Sequence, residues 1–353
     1  MNRDFVYSGS PAHVVFGEGK SALAREWMEK IGCRKALVLS TPQRQADAEA
    51  LAVRLGPVAA GVFAGAVMHT PVDVTERAME TVARTGADCV VSLGGGSTTG
   101  LGKAIACRTD LPQIVIPTTY AGSEVTPILG ETEGGRKTTV RHPRILPEVV
   151  IYDPALTLGL PVGISVSSGL NAMAHAVEGL YAQDRNPIST LMAVEGLRAF
   201  KTALPKIVEA PRDIEVRAEA LYGAWLCGAV LGTVGMALHH KICHTLGGTF
   251  DLPHAETHAI MLPHTAGYNA AAVSELLAPV AEIFGGAIGG GLWDFARQIG
   301  APLALKDLGL SEPDLDRVAA VATENPYWNP RPVDRRSIRA LLQDAWDGNR
   351  PPR

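Results

Sequence analysis

An α/β domain built on a parallel sheet, followed by an all-helical domain, is the fold class this sequence predicts. Short Val/Ile/Leu runs alternate with helical stretches through the first half of the chain. Strand-like runs become rare past Leu160, where alanine, leucine and glutamate rise, and Pro154 and Pro161 punctuate the change. Unbroken apolar runs belong to strands covered on both faces, as in a parallel sheet wrapped by crossover helices. The 353 residues exceed one ordinary core, since domains commonly hold about 100–200 residues. The expected domains are residues 1–157, α/β, and residues 158–353, all helical.

Taken in order, Lys35–Ser40 (KALVLS) reads as a strand, Ala46–Leu55 as a helix, Val58–Phe63 as a second strand, and Val72–Thr85 as a helix by its apolar spacing. Asp88–Leu93 (DCVVSL), Gln113–Ile116 (QIVI) and Val149–Tyr152 complete the strands, with a helix over Thr98–Cys107. In the second domain Ser167–Ala182, Pro187–Leu204, Ile214–Ala237 and Ala271–Phe284 read as helices, and Gly285–Gly291 as a flexible loop.

Hydrophobic residues make up 46% of the chain, which excludes a largely disordered protein. A net charge of −4 without long charge runs argues against a nucleic-acid footprint, which needs a basic face. The N-terminus has no signal-like apolar run, and no window approaches the ~18 apolar residues of a membrane span. The longest apolar stretch, Ala224 to Leu238, is broken by glycines and reads as a buried helix. Five scattered cysteines without a CxxC pair fit reduced thiols in the cytoplasm.

Strand Asp88–Leu93 runs into Gly94-Gly95-Gly96-Ser97 and then a helix. Such a turn lets backbone N–H groups approach a pyrophosphate at the positive end of the helix. Pro117-Thr118-Thr119 leaves the end of the next strand, followed by Gly122-Ser123-Glu124, and ligands of open α/β sheets bind outside the carboxyl ends of strands. A nicotinamide dinucleotide site in a Rossmann-like domain is therefore expected. Gly17-x-Gly19-x-x-Ala22 also resembles a dinucleotide fingerprint but precedes the first βα unit and carries little weight. After KALVLS, Thr41 and nearby Arg44 stand where a carboxylate would reject a 2′-phosphate, so weak discrimination is expected, with NADH the default over NADPH.

Ten histidines occur, and the informative ones cluster. Asn171 and His175 share a helix face at i,i+4, as do His240 and His244; His254 follows in a segment (DLPHAET) read as a loop that folds back, and His239 and His258 flank the set. Two readings stand: a metal site, or a metal-free cluster acting as acid and electrophile.

The segments GGGSTTGLGKA, IPTTYAGSEVTP, LPEVVIYDPALT, SGLNAMAHAVEGLY and HHKICHTLGGTFDLPHAETHAIMLPH together resemble the iron-containing alcohol dehydrogenase family, which shares the dehydroquinate synthase-like architecture. The resemblance implies an N-terminal NAD(P)H-binding domain, a helical C-terminal domain, an active site in the cleft between them, and a homodimer. It places the pyrophosphate on Gly95, Gly96 and Ser97, and Thr118, Thr119, Ser123, Thr126 and Lys137 along the cofactor. The family's metal set of one aspartate and three histidines falls on Asn171, His175, His240 and His254. An amide brings a dipole where a carboxylate brings a full charge, so no catalytic metal is expected.

Within the family, TTYAGSEVTPILGETEGG, Asn171 and FDLPHAETH resemble the branch that reduces a carbon–carbon double bond conjugated to a ketone in a dicarboxylate, in the breakdown of aromatic compounds. His244 is then the expected proton donor, with His175, His240 and His254 completing the catalytic pocket. Asn171, His239 and Lys241 are expected beside the substrate, and Arg136, Lys137 and Arg141 are further cations for its carboxylates. The alternatives are a metal-dependent alcohol or polyol dehydrogenase, a lyase of the dehydroquinate synthase kind, and a nucleotide-binding protein without catalysis.

Overall fold

The strands expected from the apolar runs form in the computed structural model of the chain, which describes residues 13–134 and 136–351 together with Phe5, Tyr7 and Gly9. The chain divides into two compact units, one of Ser8–Leu160 and one built on Pro161–Arg353.

The first unit carries strands β1 (His13–Phe16), β2 (Ala36–Leu39), β3 (Ala59–Phe63), β4 (Cys89–Gly94), β5 (Gln113–Pro117), β6 (Ile128–Glu133), β7 (Arg136–Arg141) and β8 (Val149–Tyr152). Among the described residues, six of them form one parallel sheet in the order β1-β8-β5-β4-β2-β3, and β6 pairs with β7 as an antiparallel hairpin. Its helices are α1 (Ala24–Lys30), α2 (Gln45–Leu55), α3 (Val72–Thr85) and α4 (Gly96–Thr109). Alternation along β2 sends Val38 to one face, with Met28, Leu51 and Leu55 of α1 and α2, and Leu37 and Leu39 to the other, with Ala78, Val82, Leu101 and Ile105 of α3 and α4. Both faces are thus covered, as the unbroken apolar strands require.

Strand order reverses between β2 and β4, the kind of point at which open α/β sheets bind ligands. Register pairs Leu93 with Ile116 and Gly94 with Pro117, so the turns after β4 and β5 leave the sheet side by side. The Gly17–Ala22 segment has another task. Its Gly19 and Ser21 N–H groups donate to the Asp153 carboxylate, each at 3.0 Å. Strand β1 and the β6–β7 hairpin are additions to the expected elements.

The second unit contains α5 (Val162–Tyr181), α6 (Pro187–Glu209), α7 (Ile214–Thr233), α8 (Leu238–Phe250), α9 (His254–Val273), α10 (Ala278–Phe284), α11 (Ile288–Gln298), α12 (Asp314–Glu324) and α13 (Arg335–Asp347). Local sequence fixes several starts. Asn186 and Ser189 cap α6 reciprocally, and Asp213 caps α7. Expected helix Ile214–Ala237 instead ends at Thr233, and α8 leaves at 96° to α7. Remote carboxylates capture the intervening N–H groups: Gly235 donates to Asp184 at 2.9 Å and Ala237 to Glu178 at 3.0 Å. Expected helix Ala271–Phe284 is likewise divided, because Pro279 lacks an N–H and sits in the first turn of α10.

His254 is the first residue of α9 rather than part of a loop. Gly289–Gly291, expected in a flexible loop, lie inside α11; a Cβ at Gly289 would come 2.7 Å from the Pro263 carbonyl, so Gly289 allows α11 and α9 to touch, while Gly290 packs under Arg350 and Gly291 against the Gly285 carbonyl. No single helix among the described residues is long and apolar enough to cross a membrane.

Close approach also explains Gly179, where a Cβ would fall 2.2 Å from Cγ1 of Val230 on α7. Gly179→Ala should destabilise the protein by about 1–3 kcal/mol through overpacking. Gly163→Ala, with open space around it, should instead stabilise by about 0.5 kcal/mol by reducing unfolded-state entropy. Urea denaturation of both variants checks the pair; equal effects would contradict this packing.

Candidate active site

Gly95 is the N-cap of α4, and neither a side-chain cap nor an acidic residue occupies its first turn. The leading N–H groups of a helix lack partners inside it, so Gly96, which is exposed, and Ser97, half-buried, present the positive end of α4 outward. A Cβ at Gly95 would lie 2.7 Å from Cγ2 of Thr119, and the Thr118 N–H donates to the Gly94 carbonyl at 3.0 Å. Glycine therefore brings the two turns together.

On the buried side of α4, Lys103 was missed by sequence reasoning. Its ammonium donates to the Ser123 carbonyl, to Thr126 Oγ1 at 2.9 Å and to the Ile128 carbonyl at 2.9 Å. Burial pushes its pKa down to about 7, against the pull of the Glu124 carboxylate. Glu124 is itself buried and accepts from the Tyr152 hydroxyl at 3.0 Å. Lys103 thus clamps the segment expected to line a cofactor. Thr118 and Thr126 are buried, the Thr126 hydroxyl facing Lys103 and the Ser123 carbonyl, while Thr119 and Ser123 are half-buried. Lys137 and Arg136 lie on β7, with side chains outside the described residues, and Arg141 is exposed.

In the helical unit, α5 places Asn171, His175 and Glu178 on one face at i, i+4 and i+7, all buried. Glu178 organises the rest. Its carboxylate accepts from the backbone N–H of Ala237 at 3.0 Å, the N–H of His239 at 2.7 Å and Nδ1 of His240 at 2.6 Å. It therefore caps α8, which has no cap of its own, and orients His240. Burial pushes the Glu178 carboxyl up, but the hydrogen bond and charge of His240, with His239 and the Ala237 N–H, hold it below the usual carboxylate value. With Nδ1 held by Glu178, Nε2 is the His240 ring nitrogen left buried and without a partner.

Asn171 Oδ1, His175 Nδ1 and His240 Nε2 are buried atoms without a hydrogen-bond partner. The His175 and His240 ring centres lie 5.2 Å apart. His254 packs against His258 at 4.3 Å, and His258 against His240 at 5.1 Å. Burial, reinforced by the neighbouring histidines, keeps the pKa of His175 and of His258 well below normal. Neutral imidazoles with free lone pairs are what a divalent cation requires.

At the margin, His244 is half-buried, its Nδ1 3.2 Å from the Tyr327 hydroxyl, and Lys241 Nζ lies 5.7 Å from the centre of the same ring. His239, expected beside the substrate, is buried behind the cluster, with its ring nitrogens engaged by Thr265 at 2.9 Å and His258 at 3.0 Å. It faces other side chains because α8 turns it opposite to His240. Glu178 and Tyr327 were not anticipated. The i+7 spacing of Glu178 from Asn171 carried a signal; Tyr327, far along the chain, carried none.

Residues 11–154 match the profile of iron-containing alcohol dehydrogenases, and residues 165–346 match that of the C-terminal part of the same Fe-containing alcohol dehydrogenase family. The chain belongs to the iron-containing alcohol dehydrogenase family. It is 66% identical over 347 residues to a maleylacetate reductase of Rhizobium sp., covering 98% of this chain and 99% of the relative. A maleylacetate reductase of Burkholderia cepacia is 53% identical, with 98% and 99% covered. The crystal structure of maleylacetate reductase from Agrobacterium tumefaciens superposes with a TM-score of 0.96 at 65% identity, covering 99% of this chain and 100% of that one.

Family membership corrects the expectation of a centre without a catalytic metal. That expectation counted charge only at Asn171. Glu178 supplies a buried carboxylate behind His240, a carboxylate–histidine pairing that raises ligand basicity. The unpartnered lone pairs of Asn171, His175 and His240 fit a divalent cation, with His254 the remaining family position.

Glu178→Gln should lower unfolding stability by about 2–4 kcal/mol, because it leaves buried donors of α8 without a full acceptor. Calorimetry checks it; a change under about 0.5 kcal/mol, typical of a neutral surface site, would contradict the role of Glu178. Acid should act in the same direction. Burial, reinforced by His240, pushes the pKa of His239 down to about 3, and burial pushes that of His264 down to about 4. Unfolded histidines take up a proton near 6.5, so between these values the unfolded state binds more protons and stability falls as pH falls. Denaturation midpoints should hold above pH ~6.5 and decline below it, by up to about 1.4 kcal/mol per pH unit for each such histidine; flat midpoints down to pH ~4.5 would contradict the buried neutral state.

Proposed function

We propose that the protein is a maleylacetate reductase, reducing the carbon–carbon double bond of maleylacetate to 3-oxoadipate with NADH, NADPH being accepted less well. The match over nearly the whole chain to maleylacetate reductases, one of them 66% identical, carries this reading. The dinucleotide pyrophosphate rests on the first N–H groups of α4, at Gly95, Gly96 and Ser97, with Thr119 and Ser123 beside it. Arg44, tied to Asp47 at 2.9 Å and to the Leu156 carbonyl at 3.3 Å, is not poised to favour a 2′-phosphate. The reading also makes the protein cytoplasmic and homodimeric.

The substrate alkene is conjugated to a ketone. Hydride from C4 of the dihydronicotinamide adds to the carbon β to that ketone, the π pair moves toward the ketone oxygen as an enolate, and oxidised nicotinamide remains. A proton delivered to the α carbon restores the ketone. A divalent cation bound by Asn171, His175, His240 and His254 would supply Lewis acidity toward developing negative charge. His175 and His258, held neutral, are poor proton donors. His244, half-buried and 3.2 Å from the Tyr327 hydroxyl, is the proton donor of this reading, with access to replacement protons through Tyr327. Lys241 holds a substrate carboxylate.

An NADH oxidation assay with maleylacetate tests the proposal. Steady NADH consumption with formation of 3-oxoadipate is expected, and His244→Ala should cut turnover by about 10²–10⁴-fold while NADH still binds. No NADH consumption, or oxidation of simple alcohols by NAD in its place, would overturn the reading; near-normal turnover in the variant would remove His244 from the reaction.

A further inference from the structure

His258 has no counterpart among the four family metal positions named above, yet the hydrogen bonds behind it determine what it can do. The Thr265 hydroxyl donates to the Met261 carbonyl at 2.9 Å. A hydroxyl has one proton, so toward His239 Nδ1, at 2.9 Å, Thr265 is the acceptor and His239 the donor. His239 is 1% exposed, and none of its ring partners, Thr265, His258 and Cys243, is a carboxylate. With no carboxylate bound to the ring itself, a buried cation there would be costly, so the neutral ring leaves Nε2 as a lone pair. His258 Nδ1 approaches that nitrogen at 3.0 Å. Two nitrogens at this distance need a proton between them, and it belongs to His258.

The polarity of the chain now runs to its end. His258 is an Nδ1–H tautomer, and its Nε2 is a bare lone pair. That atom is buried, has no hydrogen-bond partner, and belongs to a ring packed 4.3 Å from His254 and 5.1 Å from His240. Among the described residues, the buried trio of possible ligands His239, Cys243 and His258 is a poorer cation site, since the inward nitrogen of His239 already accepts from His258.

We propose that His258 Nε2 is an additional nitrogen ligand of the divalent cation held by the Asn171, His175, His240 and His254 set, and that Thr265, acting through His239, is the positioning residue that fixes its tautomer. A further neutral donor offsets part of the affinity lost to an amide at position 171. The inference rests on the reading of the cluster as a cation site and not on the identity of the substrate, so its test uses metal alone. An enzyme that ignored maleylacetate would leave it standing.

Co²⁺ is titrated into the metal-stripped full-length protein, following its visible absorption, which reports ligand number and type. His258→Ala should raise the Co²⁺ Kd at least about 10-fold and alter the spectrum, while Thr265→Val, which touches no ligand, should weaken binding by up to about 10-fold; Thr265→Ser should restore it. Because His258→Ala removes a buried ring, the Thr265 pair keeps the test valid if that variant fails to fold. Histidine ¹⁵N shifts should show His258 as the Nδ1–H tautomer in the metal-free wild type. Wild-type Co²⁺ affinity and spectrum in both His258→Ala and Thr265→Val, an Nε2–H tautomer at His258, or no Co²⁺ binding by the wild type would each overturn the proposal.

Discussion

The Glu178 carboxylate is the constraint on which the histidine pocket depends. It is buried on α5 and takes up the N–H groups of Ala237 and His239 and the Nδ1–H of His240. A buried carboxylate without partners would be driven to its neutral form. With these partners it stays ionised, and its charge serves as the missing N-terminal cap of α8. The same contacts end α7 and start α8 at 96°. Helix geometry then sends His240 inward, His239 behind and His244 toward the margin. One ionised side chain thereby determines the backbone path, the tautomer of His240 and the direction of its lone pair.

This arrangement changes the electrostatic meaning of Asn171. Taken alone, an amide at that position weakens the case for a cation, because the family set loses its formal charge. Charge in a metal site need not sit on a direct ligand, however; a carboxylate one hydrogen bond away polarises the imidazole between them. The unpartnered Asn171 Oδ1 and His175 Nδ1 gain a reason to exist if a cation occupies the pocket, since buried polar atoms left unsatisfied are otherwise destabilising. A neutral amide in place of a carboxylate also suits delocalised enolate charge, which asks less of its surroundings than a localised alkoxide.

Sequence patterning made much of the α/β unit legible. Strands β2, β4, β5 and β8 are apolar runs, and α3 occupies Val72–Thr85 as its spacing predicts. The Gly94–Ser97 turn was readable because glycine at a strand–helix junction has a local cause. Features set by distant partners were not. The break after Thr233 depends on Asp184 and Glu178, more than fifty residues away in sequence. The Lys103 clamp depends on oxygens that become neighbours only when α4 covers the loop after β5. At Gly289–Gly291 the glycines suggested flexibility, whereas their cause is close packing against α9, Arg350 and the Gly285 carbonyl in turn. The histidines themselves were recognisable from i,i+4 spacing, but which of them face inward follows from the tertiary hydrogen bonds of Glu178 and Thr265.

The chemistry proposed for this pocket turns on where the hydride lands. A site that stabilises an enolate directs hydride to the alkene carbon β to the ketone; a site that stabilises an alkoxide directs it to the carbonyl carbon. The decisive measurement is the position of deuterium in the product formed from maleylacetate and NADH deuterated at C4. Deuterium on the carbon β to the retained ketone is the predicted result. Deuterium on the former carbonyl carbon, with a hydroxy acid as product and the double bond intact, would contradict the account.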